Sequence, residues 1–169
     1  MNYQRILIIG CSGAGKSTLA RQLAHITKLP LVHLDQLFWQ PNWVPSDRAL
    51  FRQSMIAELQ KPAWIIDGNF DSTLTLRMQY ADCVIFLDYE TSICLRRIVR
   101  RYVTHIGKTR LDMTNNCNEK LDMEFLQWII RYNEDVRPDI LQKLANTSIT
   151  SIIFTHPKQT KRWLSNIAL

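Results

Sequence analysis

Gly10-Cys11-Ser12-Gly13-Ala14-Gly15-Lys16-Ser17 decides the reading of this chain. These residues satisfy G-x-x-x-x-G-K-[ST] at each specified position, but so short a pattern also arises by chance. Its surroundings remove most of that chance. Arg5-Ile6-Leu7-Ile8-Ile9 before it is a short, β-branched apolar run, as in a buried parallel strand. After it, Leu19, Leu23 and Ala24 recur at helical spacing from Lys16 to about Lys28. A strand that turns through glycines into a helix is the setting the pattern requires. Gly10, Gly13 and Gly15 let the backbone N–H groups point inward, and with the helix N-terminus they cradle phosphate oxygens. Ser12, Ala14 and Thr18 complete the expected phosphate-binding set. Lys16 brings a point charge to the β- and γ-phosphates, and Ser17 a hydroxyl for Mg2+.

Outward from the motif, strands and helices alternate. Leu31 to Leu34 reads as a second strand, and 36–45, with Pro41, Pro45, Trp39 and Trp43, as a loop. Ser46-Asp47 caps a helix with apolar positions Leu50, Met55, Ile56 and Leu59. Ala63 to Asp67 is a third strand, Asp71 to Gln79 a short helix, and Cys83 to Leu87 a fourth strand ending at Asp88. A helix from Ser92 to His105 leads into an irregular polar stretch, 106–120. A long helical pattern from Asp122 is interrupted by Pro138, and a strand from Ile149 to Phe154 precedes a last helix, Lys158 to Ile167. The pattern predicts a three-layer α/β/α fold around a parallel sheet, in one domain over 1–169.

With 46% hydrophobic and 21% charged residues the composition is that of a globular protein, and no apolar run nears the ~20 residues of a membrane span. No secretory signal is read at the N-terminus. Cys11, Cys83, Cys94 and Cys117 form no CxxC pair and sit at no metal-ligand spacing, so reduced thiols and a cytoplasmic location are expected. The net charge is +6, and six cations fall within 96–110, where no Asp or Glu occurs. Charge this local suggests a polyanion site more than a surface that coats nucleic acid.

In a doubly wound sheet the carboxyl ends of the strands line one crevice. Asp35, Asp67 and Asp88 should therefore meet the glycine-rich loop there. Asp67 or Asp88 could hold Mg2+, and Asp67 is preferred because Gly68 follows it. Asp35 could orient an acceptor hydroxyl or take its proton, or be a solvated turn residue. Arg97 and Arg101, with Arg96 and Arg100 as a second i,i+4 pair, are read as opposite a buried stripe of Leu95, Ile98, Val99, Tyr102 and Ile106. These arginines face either a ligand or solvent. The glycine-containing Gly107-Lys108-Thr109-Arg110 that follows reads as a closing lid. Trp39 and Trp43 stack on a ligand or pack a loop, and Arg77 clamps an acceptor phosphate or pairs with an acid.

Together these residues resemble the nucleoside-monophosphate-kinase-type P-loop proteins, the group of adenylate and shikimate kinases. More narrowly, the chain is similar to the DNA topology modulation proteins, a kinase-like branch of that group. The segments are His33 to Trp43, Trp64 to Phe70, Arg77, Ala81 to Asp88, Arg110 to Met113, Cys117 to Glu119, Phe125 to Trp128 and Arg137-Pro138. The resemblance implies a five-stranded sheet in order 2-3-1-4-5, ATP as the nucleotide, and a mobile lid bearing Arg97, Arg101 and Arg110. Glu90 and Leu111 depart from it, each standing where a proline is expected. The Arg that marks an AMP acceptor after Asp-Gly is missing, with Asn69-Phe70-Asp71 in its place.

The expectation is an ATP- and Mg2+-dependent kinase for a small acceptor. Lys16, Arg97, Arg101 and Arg110 meet the transferring phosphoryl, Ser17 and Asp67 hold the metal, and Asp35, Trp39 and Arg77 meet the acceptor. The alternatives are a nucleotide-gated, DNA-associated regulator, not favoured because no nucleic-acid-reading motif is present, and a plain NTP hydrolase. Acceptor identity and oligomeric state are not legible.

Overall fold

Five parallel strands form the sheet of the chain, seen in a computed structural model that describes residues 2–107, 109–110 and 112–167. Lys108 of the basic run and Leu111 of the lid lie outside the described residues, as do the ends of the expected domain. The strands are β1 (Arg5–Gly10), β2 (Leu31–His33), β3 (Trp64–Asp67), β4 (Cys83–Leu87) and β5 (Thr150–Phe154), in spatial order β2-β3-β1-β4-β5. Ile6 faces Ile65 on one side and Cys83 on the other, so the three most apolar strands are the central ones. Covered on both faces, they must be apolar throughout, and Ile6 to Ile9, Trp64 to Ile66 and Cys83 to Leu87 are all buried. At the edge, β5 leaves Thr150, Ser151 and Ile153 exposed.

The helices are α1 (Lys16–Thr27), α2 (Leu34–Phe38), α3 (Arg48–Leu59), α4 (Asp71–Met78), α5 (Thr91–Thr104), α6 (Met123–Asp135), α7 (Arg137–Ala145) and α8 (Pro157–Ile167). Pro138 stands at the start of α7, where a missing N–H costs nothing, so the long helical pattern is split in two. Among the described residues no helix is long and apolar enough to cross a membrane.

Three sequence expectations need correction. Residues 36–45 are not a plain loop: Trp39 pairs with Pro45 and Gln40 with Val44 in a hairpin around a turn at Pro41–Trp43. The α3 cap is Asp47, which accepts from the N–H groups of Ala49 and Leu50, but the buried face is Phe51, Met55 and Leu59, with Leu50 exposed. Phe51 sets that phase by packing on Phe38 and Phe70, at centroid distances of 5.2 and 4.8 Å. On α5 the buried residues are Cys94 and Ile98, while Val99 and, beyond the helix end, Ile106 are exposed. Cys94, Arg97, Ile98 and Arg101 share one helix face, so the arginines border the buried stripe instead of opposing it.

Candidate active site

A cleft of about 1700 Å³ opens at the carboxyl edge of the sheet, with Ser12 to Thr18 on one wall. The loop is built as its glycines require. Gly13 has φ 85°, and a Cβ there would stand 2.4 Å from the Cys94 carbonyl oxygen of α5. The loop thus touches α5 directly and brings Arg97 onto itself. Arg97 donates to the Ala14 carbonyl at 2.8 Å, its guanidinium 5.6 Å from the centre of the Tyr89 ring. Lys16 donates to the carbonyls of Gly10 and Cys11 at 2.9 and 3.1 Å. Gly10 does not line the cleft and donates to Asn69 Oδ1 at 3.2 Å.

Asp35 and Trp39 line the same cleft, as do Trp43, Asn69, Phe70, Phe125 and Trp128. Burial pushes the Asp35 carboxyl above the usual range; Lys16 opposes this and Asp67 adds to it. Trp39 and Trp43 meet edge to face at 5.4 Å, and Lys120 lies 5.2 Å from the centre of the Trp43 ring.

Asp67 and Arg77 do not line the cleft. Asp67, buried at the end of β3, pairs with His33 Nδ1. Asp88, its rival, is gripped by Arg137 at 2.7 and 2.8 Å. Arg77 corrects the expected acceptor clamp. It is fully buried and donates to the carbonyls of Gly68 (3.1 Å), Asn69 and Phe70 (3.3 Å) and to the Thr73 hydroxyl (3.1 Å). It braces the turn after β3, where Phe70 is forced to φ 43°. Burial lowers its pKa to about 10, with Asp71 opposing, so it stays charged at neutral pH.

Arg101 of α5 and Arg110 of the 106–120 segment, the expected lid, line the cleft together with two carboxylates that sequence reasoning gave no role. Arg101 Nη2 is 2.6 Å from Glu119 Oε1, Arg110 Nε 2.9 Å from Glu119 Oε2, and Arg110 Nη1 2.9 Å from Asp112 Oδ2. Burial works against the charge on Asp112, but Arg110, with which it is hydrogen-bonded, and the nearby Ser17 hydroxyl hold its carboxyl below the usual range. The spacing of Arg110, Asp112 and Glu119 carried no signal, because their encounter depends on how 106–120 folds back on itself, through bridges at Ile106–Glu119 and Thr109–Asn118. His33 likewise reads only as a strand-end residue.

The lid is also fastened to the hairpin. Thr114 Oγ1 donates to the Trp39 carbonyl (2.5 Å), Cys117 Sγ to that of Gln40 (3.3 Å), and Trp43 Nε1 to that of Asn118 (2.8 Å). The indole N–H of Trp43 is thus spent on the lid.

No family model matches the chain, and none of the curated proteins compared with it matches. Solved structures do. Shikimate kinase from Acinetobacter baumannii, in complex with shikimate, is similar at TM-score 0.64 and 15% identity, over 98% of this chain and 91% of that one. Shikimate kinase from Bacteroides thetaiotaomicron is similar at TM-score 0.56 and 19% identity, over 98% and 96%. A gluconokinase from Sinorhizobium meliloti 1021 gives 0.55 and 15%, over 98% and 93%. At these identities the likeness establishes the fold, and the chain has the three-layer P-loop architecture of these kinases.

Proposed function

We propose that the chain is an ATP- and Mg2+-dependent phosphotransferase that passes the γ-phosphoryl group to a hydroxyl of a small acceptor. The observation that carries this reading is the convergence of the glycine-rich loop, Arg97, Arg101, Arg110 and Asp35 on one cleft. Phosphoryl transfer asks a protein mainly for position and for positive charge around the moving group. Lys16 opens α1 at the loop, Arg97 of α5 contacts it, and Arg101 and Arg110 line the same cleft. The fold shared with small-molecule kinases supports the reading.

The hydroxyl of Ser17 and the carboxylate of Asp67 are the hard oxygen donors Mg2+ takes. They fit it by chemistry: Ser17 lines the cleft, while Asp67 is buried at the end of β3 and pairs with His33, so that pair would have to open for the carboxylate to reach the metal. Bound there, Mg2+ would neutralise phosphate charge. Asp35 would orient the acceptor hydroxyl and receive its proton, a role its raised pKa suits, and Trp39 would present an aromatic wall to the acceptor. We take 1–169 as one cytoplasmic domain with its lid at 106–120, of the kinase-like branch that the DNA topology modulation proteins represent.

A turnover assay with MgATP against nucleosides, nucleoside monophosphates and small hydroxy acids tests this, with water as baseline and Lys16→Ala as control. One acceptor that gains phosphate as ADP appears is the expected result. Tight MgATP binding with no acceptor-stimulated turnover would overturn it. The exposed Arg96 and Arg100 on α5 favour a second reading, DNA association, and that reading requires binding that collapses as salt is raised.

A further inference from the structure

Glu119 stands between Arg101 and Arg110, its side chain only 3% exposed. Arg101 grips Oε1 through Nε (2.7 Å) and Nη2 (2.6 Å). Arg110 brings Nε to 2.9 Å from Oε2 and spends Nη1 on Asp112. Among the described residues, Arg101 Nη1 and Arg110 Nη2 donate no hydrogen bond. Arg101 is held along its Nε–Nη2 edge. Arg110 is held at two points, by the ion pair of Nε with Glu119, which is not aligned as a hydrogen bond, and by Nη1 on Asp112. Each keeps a nitrogen to offer. A planar fork fixed along one edge is a fork aimed along the other.

Two guanidiniums this close in a half-buried cleft repel each other. Burial lowers the Arg101 pKa, Arg110 lowers it further, and Glu119 restores it. Asp112 adds to this compensation, touching Arg110 and acting on Arg101 through space, but among the described residues Glu119 is the carboxylate within ion-pair distance of both arginines.

We propose that Glu119 is a positioning residue for phosphoryl transfer: it clasps Arg101 and Arg110 into one unit whose remaining nitrogens face the phosphoryl in flight. This rests on the reading of the cleft as a phosphotransferase site. A carboxylate with this duty is needed in the transition state, where charge spreads over the moving group, and far less for holding nucleotide in the ground state.

The test uses the full chain, calorimetry, and two probes: MgADP alone, and MgADP with aluminium fluoride, which imitates the transferring group. Wild type should bind MgADP more tightly with aluminium fluoride than without. Glu119→Gln should keep its MgADP Kd within about threefold and lose about tenfold or more of the aluminium fluoride gain. Glu119→Asp, charged but one methylene short, should fall between. Arg110→Gln leaves no pair to clasp, so Glu119→Gln should do no further harm in that background, which also covers the case of a Glu119→Gln single variant that fails to fold. Tighter MgADP binding by Glu119→Gln with the gain intact would overturn the proposal and make Glu119 an anion that competes with nucleotide. An unchanged gain, or a wild type that shows none, would overturn it too. A wild type that does not bind MgADP at all would instead sink the reading of the cleft on which it rests.

Discussion

Asp35 has a raised pKa because burial disfavours its charged form, with Lys16 opposing and Asp67 adding. The sign for stability follows: a carboxyl raised in the folded state stabilises it below the unfolded-state value of about 3.9 and loses that contribution as pH rises through the folded value. Asp35→Asn should therefore raise Tm at neutral pH relative to wild type and lose that advantage near pH 4, while transfer falls by roughly 10²–10⁴-fold. Thermal unfolding at the two pH values checks the first part and initial rates the second. The acid limb of the wild-type rate profile should lie above the ordinary Asp range. Arg77 works in the opposite sense, as a buried cation the fold depends on. Arg77→Met strands the carbonyls of Gly68, Asn69 and Phe70, and should cost about 3 kcal/mol in denaturant unfolding. An unchanged midpoint would show that the turn after β3 holds itself.

Among the elements, contact with α5 makes the glycine-rich loop intolerant. Gly13→Ala drives a Cβ into the Cys94 carbonyl and Ile98, so nucleotide binding should be abolished in a titration and α5 displaced. Gly107, at φ 69°, would bring an added Cβ within 4 Å of nothing, so Gly107→Ala should cost only the left-handed backbone, about 1 kcal/mol. The same elements show what a sequence discloses. Ile6 to Ile9 and Cys83 to Leu87 announce buried strands because two covered faces leave no room for polar residues. The loop that follows β1 fixes where the cleft opens, and Lys16, Asp35, Trp39, Arg97, Arg101 and Arg110 all line it. The 39–45 hairpin stayed illegible because its strands have two residues each, include a proline and depend on the lid. Arg77 reads as an acceptor clamp or the partner of an acid, since helical spacing says nothing of carbonyls that turn back over it. Glu119 reads as one acid in a polar stretch, since its partners are 9 and 18 residues away.

Across the whole molecule, three hydrogen bonds join the 106–120 segment to the hairpin, and the two should therefore move as one body. Trp43→Phe keeps an aromatic ring and removes the indole N–H, at a cost of about 1 kcal/mol. Amide exchange should then quicken together in 39–45 and in 112–118, and exchange that quickens in only one of the two would refute the coupling. That seam bears on the timing of a catalytic cycle. If the cover over the nucleotide cannot lift without carrying away the wall beside the acceptor, neither product leaves alone. Both departures then share one slow step, and solvent viscosity, more than the leaving ability of ADP, sets the steady-state rate.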